Sequence, residues 1–134
     1  MSKPVIVMPD AVAVVTSYLR SALASRGSAV PVVSRVPPTR PPSFVRVERV
    51  GGLRATPVTD RARLDVQCWA PTEAAAHDLA ALARALLDDL PGVRDGVTVY
   101  RVSEASSPMW LPDELTSTPR FAFAVEADMR GRAL

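Results

Sequence analysis

The chain has one histidine and one cysteine, His77 and Cys68, the two residue types most often used as general base or nucleophile near neutral pH. Asp78 follows His77 at i+1, so the two side chains lie on different faces of a helix. Cys68 alternates in phase with Leu64 and Val66, which is typical of a small buried residue and not of an activated thiolate. Because catalysis needs positioned partners, the sequence predicts no catalytic residue and no enzyme activity.

The remaining candidates for phosphate or metal binding are pairs of adjacent residues. Gly51-Gly52 lacks the spacing and the lysine of a phosphate-binding loop. Asp88-Asp89 and Asp113-Glu114 are adjacent acids of the kind usually found solvated, whereas a hard cation needs several converging oxygens. A lone cysteine excludes an intramolecular disulfide and indicates a reducing compartment. The sequence therefore predicts no metal and no cofactor.

Arginines are concentrated in the middle of the chain and are interrupted by acids. The arginines are Arg46, Arg49, Arg54, Arg61 and Arg63, and the acids are Glu48, Asp60 and Asp65. The formal net charge is only +2, and aromatic residues do not alternate with the arginines as in single-strand-binding surfaces. A surface of mixed sign favours a subunit interface or a solvated face over DNA recognition. It stays compatible with an arginine-lined passage for DNA.

Composition predicts one domain over residues 1–134. Hydrophobic residues make up 48% of the chain and aromatic residues only 5%, so the core must consist mainly of Val, Leu and Ala. The apolar run near the N-terminus is too short for a signal peptide, and no run approaches the roughly 20 residues of a membrane span. We expect a soluble protein made in the cytoplasm, with no membrane partner.

Two helices are predicted from caps and periodicity. Asp10 is a good N-cap for a helix that carries apolar residues at helical spacing and stops near Gly27. Thr72 caps a second, amphipathic helix that ends at Pro91-Gly92. Its predicted buried stripe is Leu79, Leu82, Ala83, Leu86, Leu87 and Leu90. Aspartate at Leu82 or Leu86 is therefore predicted to unfold the protein.

Four strands are predicted, over 43–50, 61–70, 97–103 and 120–130. In the last, one face carries Phe121, Phe123, Val125, Ala127 and Met129, which is typical of a strand with one buried face. The other face carries Arg120, Glu126, Asp128 and Arg130, with Ala122 and Ala124 between them. Proline-rich loops are predicted at 31–43 and 104–119. The predicted fold is α+β, with two helices packed on an antiparallel or mixed four-stranded sheet in the order α-β-β-α-β-β.

The polar strand faces and the two tryptophans are the candidate interface. Mixed charges give register and specificity between subunits, and Trp and Arg are common at interface hot spots. The alternative is that both tryptophans cap the ends of a small core; on the interface interpretation, Trp69→Ala would leave the fold intact and damage assembly. The candidates are Arg46, Glu48, Arg61, Arg63, Asp65, Trp69, Trp110, Leu111, Glu126, Asp128 and Arg130.

Four stretches of the chain occur in a distinctive order. A helix after Pro9-Asp10 leads to a proline-rich loop, and paired strands follow at 44–52 and 61–70. The helix that begins Pro-Thr-Glu-Ala-Ala-Ala comes directly after the second strand, and the strand at 119–131 closes the chain. In this order they resemble the tail terminator proteins of long-tailed (siphovirus-type) phages and gene transfer agents, over nearly the whole chain.

The resemblance implies a homohexameric ring that caps the head-proximal end of the tail tube and stops its polymerisation. Its partners would be other copies of the chain, the major tail tube protein and the head-side connector or stopper, with DNA passing through the ring without sequence recognition. The loop at 31–43 and the loop of Trp110 would reach the tube and the neck. The protein would then reside in the virion tail or neck, and the resemblance implies no catalytic residue.

Three alternatives stay open on sequence. One is another neck or connector ring protein, such as a stopper or tail-completion protein. A second is a small dimeric α+β enzyme or ligand-binding domain, which would need a concave pocket holding Cys68 or His77 with partners. A third is a basic DNA-binding module, whose affinity would fall steeply with salt.

Overall fold

The computed structural model describes residues 3–134. Two helices and eight strands follow one another along the chain. They are β1 (Ile6–Val7), α1 (Ala11–Ser25), β2 (Val32–Val33), β3 (Phe44–Thr56), β4 (Thr59–Trp69), α2 (Glu73–Leu87), β5 (Gly92–Arg94), β6 (Val97–Trp110), β7 (Arg120–Arg130) and β8 (Arg132–Ala133).

The main sheet has six strands in the order β2-β3-β4-β7-β6-β5, and β1 pairs with β8 in a separate two-stranded sheet. The four long strands are antiparallel, whereas β2 runs parallel to β3 with Val32 opposite Val45. The α+β class and the mixed sheet are thus confirmed, but the count of four strands is wrong. The extra strands are two or three residues long, too short to show a period of two in the sequence.

Both helices pack on one face of the main sheet, and a single core is buried between the helices and the sheet. The strands contribute Val45, Val47, Ala62, Leu64, Val66, Cys68, Phe121, Phe123, Val125, Ala127 and Met129 to it. Alternate residues of a strand point to opposite faces, so the intervening residues of β3, β4 and β7 form a second face away from the helices. Among the described residues, no helix is long and apolar enough to cross a membrane.

The predicted caps open both helices. The Asp10 carboxylate accepts the amide of Ala13 at 3.0 Å, and the Thr72 hydroxyl accepts the amide of Ala75 at 3.1 Å. The predicted buried stripe of α2 is displaced from the observed one. The fully buried residues of α2 are Ala76, Ala80, Ala83 and Leu87. Leu79, Leu82 and Leu86 flank that line and are only partly buried. A line of alanines lets the helix approach the sheet closely, and the larger leucines fill the spaces at its sides.

Two strands are longer than predicted. Gly51-Gly52 does not end β3: the two glycines pair with Arg63 and Ala62 of β4, directly after a bulge at Val50. Both glycines have positive φ, and a Cβ at Gly52 would overlap the carbonyl oxygen of Arg61. Strand β6 continues to Trp110, so the loop predicted at 104–119 is reduced to 111–119. Pro108 is tolerated in β6 because β5 pairs only with Val97 to Val99, which leaves the remainder of β6 at the sheet edge.

Candidate interaction surface

The sheet face away from the helices carries most of the predicted interface residues. The strand register arranges them in rows across β3, β4, β7 and β6. The rows are Arg46, Gln67, Ala122 and Met109; Glu48, Asp65, Ala124 and Ser106; Arg63, Glu126 and Ser103; and Arg61, Asp128 and Arg101. We call this surface the polar face. The sequence pattern placed these charges together correctly because a period of two fixes which side chains share a face.

Several charges of the polar face pair with one another. Arg61 binds the carboxylate of Asp128 through two nitrogens, at 2.8 and 3.1 Å, which ties β4 to β7. Arg46 donates to Glu48 at 2.8 Å within β3. Asp128 is buried by this pairing although it was predicted to contact another subunit. These pairs hold the charged surface in a fixed geometry before any partner arrives.

Two acids lie directly opposite each other in the centre of the polar face. Glu48 of β3 pairs in register with Asp65 of β4, and like charges in such a pair repel. Burial raises the pKa of Asp65, the Glu48 carboxylate raises it further, and Arg63 opposes both effects. Arg63 is exposed beside this pair, and Glu126 lies opposite it on β7. The centre of the polar face can therefore accept both a cationic and an anionic group from a partner.

Trp69 is buried and is not an interface residue. Its side chain is 1% exposed and stacks on Phe44 with ring centroids 4.4 Å apart. The Arg120 guanidinium lies 5.3 Å from the centre of the Trp69 ring. Of the two interpretations of the tryptophans, the one in which Trp69 belongs to a small core is correct. That core lies on the polar-face side of the sheet, at the end where Trp69 pairs with Arg120, which we call the loop end.

Asp113 closes the small core at the loop end. Its carboxylate accepts hydrogen bonds from Arg40 at 2.8 Å, from the indole nitrogen of Trp69 at 3.1 Å and from the amide of Leu115 at 3.0 Å. Arg40 belongs to the proline-rich segment and Asp113 to the segment 111–119, so one buried carboxylate joins both. The two loops, which were predicted to reach separately for partners, are fastened together over Phe44 and Trp69.

Asp113 was predicted to be a solvated acid, and only the turn signal around it could have indicated otherwise. Proline lies on both sides, at 112 and 119, with Ser and Thr between. In the structure Asp113 forms an Asx turn, and the Arg40 guanidinium, with help from Trp69 and Leu115, holds the pKa of the Asp113 carboxyl well below its usual range. The long-range partners are what no local pattern reveals.

The Asp113 network should make stability depend on acid pH. Because the folded pKa lies below the unfolded value of about 3.9, the stabilisation is complete above about pH 5 and is lost as pH falls below about 4. Urea unfolding of wild type and Asp113→Asn at neutral pH and near pH 3 tests this. The stability gap between the two proteins should narrow at the lower pH. An unchanged gap would show that the carboxylate charge contributes nothing.

The segment 111–119, which we call the leucine loop, is rigidly built and displays an apolar side chain. Its base is closed by the Leu111 amide, which donates to the Arg120 carbonyl at 2.9 Å, and by the Arg120 side chain, which donates to the Leu111 carbonyl at 2.7 Å. Leu115, at its tip, is 90% exposed. Trp110 and Leu111 beside it are exposed as predicted, although Trp110 also packs on Phe121 with centroids 5.4 Å apart. An exposed leucine on a fixed turn is an accessible contact point.

A cavity of about 630 Å³ lies at the opposite end of the sheet, which we call the hairpin end. Its walls come from β1, the first turn of α1, the turn after β3, the turn before β6 and the segment that follows β7. The lining includes Ile6, Ala13, Val58, Val97, Arg130 and Arg132. The lining is mainly apolar with charged residues among it, the composition expected of a binding pocket. No local pattern in the sequence indicated this cavity, because five separate segments form it.

Neither residue considered for catalysis lies in this cavity. Cys68 is buried in the core, and burial raises the pKa of its thiol, which disfavours the nucleophilic thiolate. His77 is exposed on α2 and its ring lies at 5.4 Å, edge-on, from Phe121. Its ring nitrogen is 3.2 Å from the carboxylate of Asp78, so the expectation that adjacent positions keep these two apart is wrong. This exposed pair shares no concave site with Cys68.

Comparison of the chain with protein-family models and with curated proteins finds no match in either.

Three candidate surfaces for contact with a partner have been described: the polar face, the loop end and the cavity at the hairpin end. The first two contain the predicted interface residues that are still accessible, among them Arg63, Trp110 and Leu111. The third was not predicted.

Proposed function

We propose that the protein is a structural component of a virion, a ring that caps the head-proximal end of a phage tail tube. In this role it ends tube polymerisation and joins the tail to the head-side connector or stopper. The proposal assigns the α+β fold to the tail-terminator class on the resemblance of its element order. The observation that carries it is the polar face, a sheet surface outside the helical core on which charges of both signs lie together and several are paired with one another.

The polar face suits contacts between protein subunits. Its ion pairs hold side chains in place, so little conformational entropy remains to be lost when a neighbour binds. The alternation of sign, with the Glu48–Asp65 pair beside Arg63, gives register to an interface. The same mixture of signs would let DNA pass through a ring without sequence-specific binding.

A small ligand-binding domain is the second candidate, and the cavity at the hairpin end favours it. Its volume of about 630 Å³ lies within the range of about 300–1,000 Å³ that is usual for ligand pockets. The sequence hypothesis placed Cys68 or His77 in the pocket of such a domain. Neither residue lines this cavity, so these two residues do not support that hypothesis. Calorimetric screening of small apolar and anionic compounds would address it.

The test of the proposed function is assembly. Light scattering across a concentration series should reveal a closed oligomer, and negative-stain images with purified tail tubes should show capped tubes that cease to lengthen. Arg63→Glu reverses the charge of an exposed residue in the polar face and should abolish capping while leaving circular dichroism unchanged. Arg26→Glu is the matched control, since Arg26 is exposed at the end of α1, away from that face.

Capping by wild type and by Arg26→Glu, with loss in Arg63→Glu, would support the proposal. A protein that stays monomeric at every concentration and neither caps nor binds tubes would contradict it. Binding to the connector alone would instead favour the stopper or tail-completion alternative.

A further inference from the structure

Two features of the molecule are complementary in shape. The leucine loop presents Leu115, 90% exposed, together with the exposed side chains of Trp110 and Leu111. Burying so exposed an apolar side chain lowers the free energy by about 25 cal/mol for each Å² removed from water. The Asp113 hydrogen bonds hold the base of the loop in place, which reduces the conformational entropy lost when a contact forms.

The cavity at the hairpin end has the opposite shape. Apolar side chains line it, among them Ile6, Val58 and Val97, and a volume of about 630 Å³ admits a leucine together with neighbouring side chains. It opens on a part of the molecule where Val58 is itself 41% exposed. The cavity can therefore bury an apolar projection from outside.

Charge also distinguishes the two features. Glu114 on the leucine loop is exposed. Arg130 and Arg132 at the cavity are exposed, and within residues 3–134 neither forms an ion pair. Two acids, Asp10 and Asp95, also line the cavity, and Asp10 is held as the cap of α1 by the amide of Ala13. The arginines offer partners for a glutamate that arrives with the loop.

The strand register separates the two features by the length of the sheet. The leucine loop joins β6 to β7 where Trp110 pairs with Phe121, and the cavity lies where Thr59 pairs with Arg130. At about 3.3 Å per residue, the length of β7 places them roughly 30 Å apart. A copy cannot fill its own cavity with its own loop. Each copy therefore carries a projection at one end and a receptor for it at the other.

We infer that the leucine loop of one copy docks in the cavity of the next, with Leu115 inserted and Glu114 facing Arg130 and Arg132. Such a contact is head-to-tail, and it forms a ring when the rotation between neighbours closes. The inference rests on the proposed ring and assigns a contact between its subunits, in addition to the polar face.

The test uses one variant for each side of the contact. Leu115→Asp impairs the loop and keeps the cavity, whereas Ala13→Trp fills the cavity from an exposed position of α1 and keeps the loop. Each should raise the dissociation constant for self-association at least about tenfold, as loss of a central anchor does. Mixed together, they retain one intact contact, so light scattering should find a 1:1 dimer. Ala74→Asp, which adds the same charge at an exposed position of α2 outside the leucine loop, the cavity and the polar face, is the control.

The outcomes separate the contact from the function. Monomers that pair only on mixing would establish the contact, and rescue of Glu114→Arg by Arg132→Glu would establish its charge component. A wild-type dimer that Leu115→Asp dissolves would support the contact and contradict the ring. Rings or capped tubes that form equally well with both variants would overturn the contact and leave the proposed function standing. Wild type that never self-associates, even on tubes, would overturn both.

Discussion

Leu87→Asp is expected to unfold the domain. The Leu87 side chain is 1% exposed and lies on the face of α2 that packs against the sheet. Removing it leaves a cavity, and the new carboxylate would have no partner in an apolar site. Together these effects should cost at least about 4 kcal/mol, against a total stability of about 5–15 kcal/mol for a domain. Circular dichroism and urea unfolding of the purified variant give the measurement.

Leu86→Asp is the matched control for Leu87→Asp. Leu86 is only partly buried, so an aspartate there can reach water, and the variant should fold with a smaller loss of stability. The sequence placed both leucines in the buried stripe and predicted that Leu86→Asp would unfold the protein, so a folded Leu86→Asp variant would contradict that prediction. Equal unfolding of the two variants would show that α2 is rotated relative to the arrangement described here.

Trp69→Ala is expected to destabilise the protein by about 3–5 kcal/mol, because a buried indole leaves a large cavity. Its stacking on Phe44 and the hydrogen bond from its indole nitrogen to Asp113 are lost together. Trp69→Phe separates the two effects: it keeps an aromatic ring but removes the donor, at a cost of about 1–3 kcal/mol. Denaturant unfolding of both variants measures the difference.

Trp110→Ala is the control for Trp69. Trp110 is 43% exposed, so its loss should change stability less than the loss of Trp69. If Trp69→Ala were as stable as wild type, the small core at the loop end would not exist as described. The interface interpretation predicted an intact fold for Trp69→Ala, so a marked loss of stability would contradict it and agree with the buried position of Trp69.

Local patterns predicted the elements that local physics determines. Asp10 and Thr72 cap the helices because a capping side chain acts on amides three residues away. The alternation in 120–130 gave the bounds of β7 exactly as the structure has them, since a period of two is visible in eleven residues. The same reasoning brought Arg61, Arg63 and Asp128 onto one surface.

Tertiary contacts determined what the patterns missed. Trp69 alternates in phase with charged residues, and only the two loops that fold over it explain its burial. Residues 104–110 contain a proline and read as loop, but pairing with β7 extends them into β6. The cavity and the Asp113 network join segments far apart in the chain, and a single sequence carries no signal for such contacts.

The position of β7 has a consequence for the order in which the protein can form during synthesis. It is the last long strand in the chain, yet it lies between β4 and β6 in the sheet. Until it has left the ribosome, the β3–β4 hairpin and β6 have no common neighbour, and folding awaits contacts of long sequence separation. A chain broken off before β7 lacks the central strand of the polar face. A truncated translation product would therefore lack both the complete main sheet and the complete polar face.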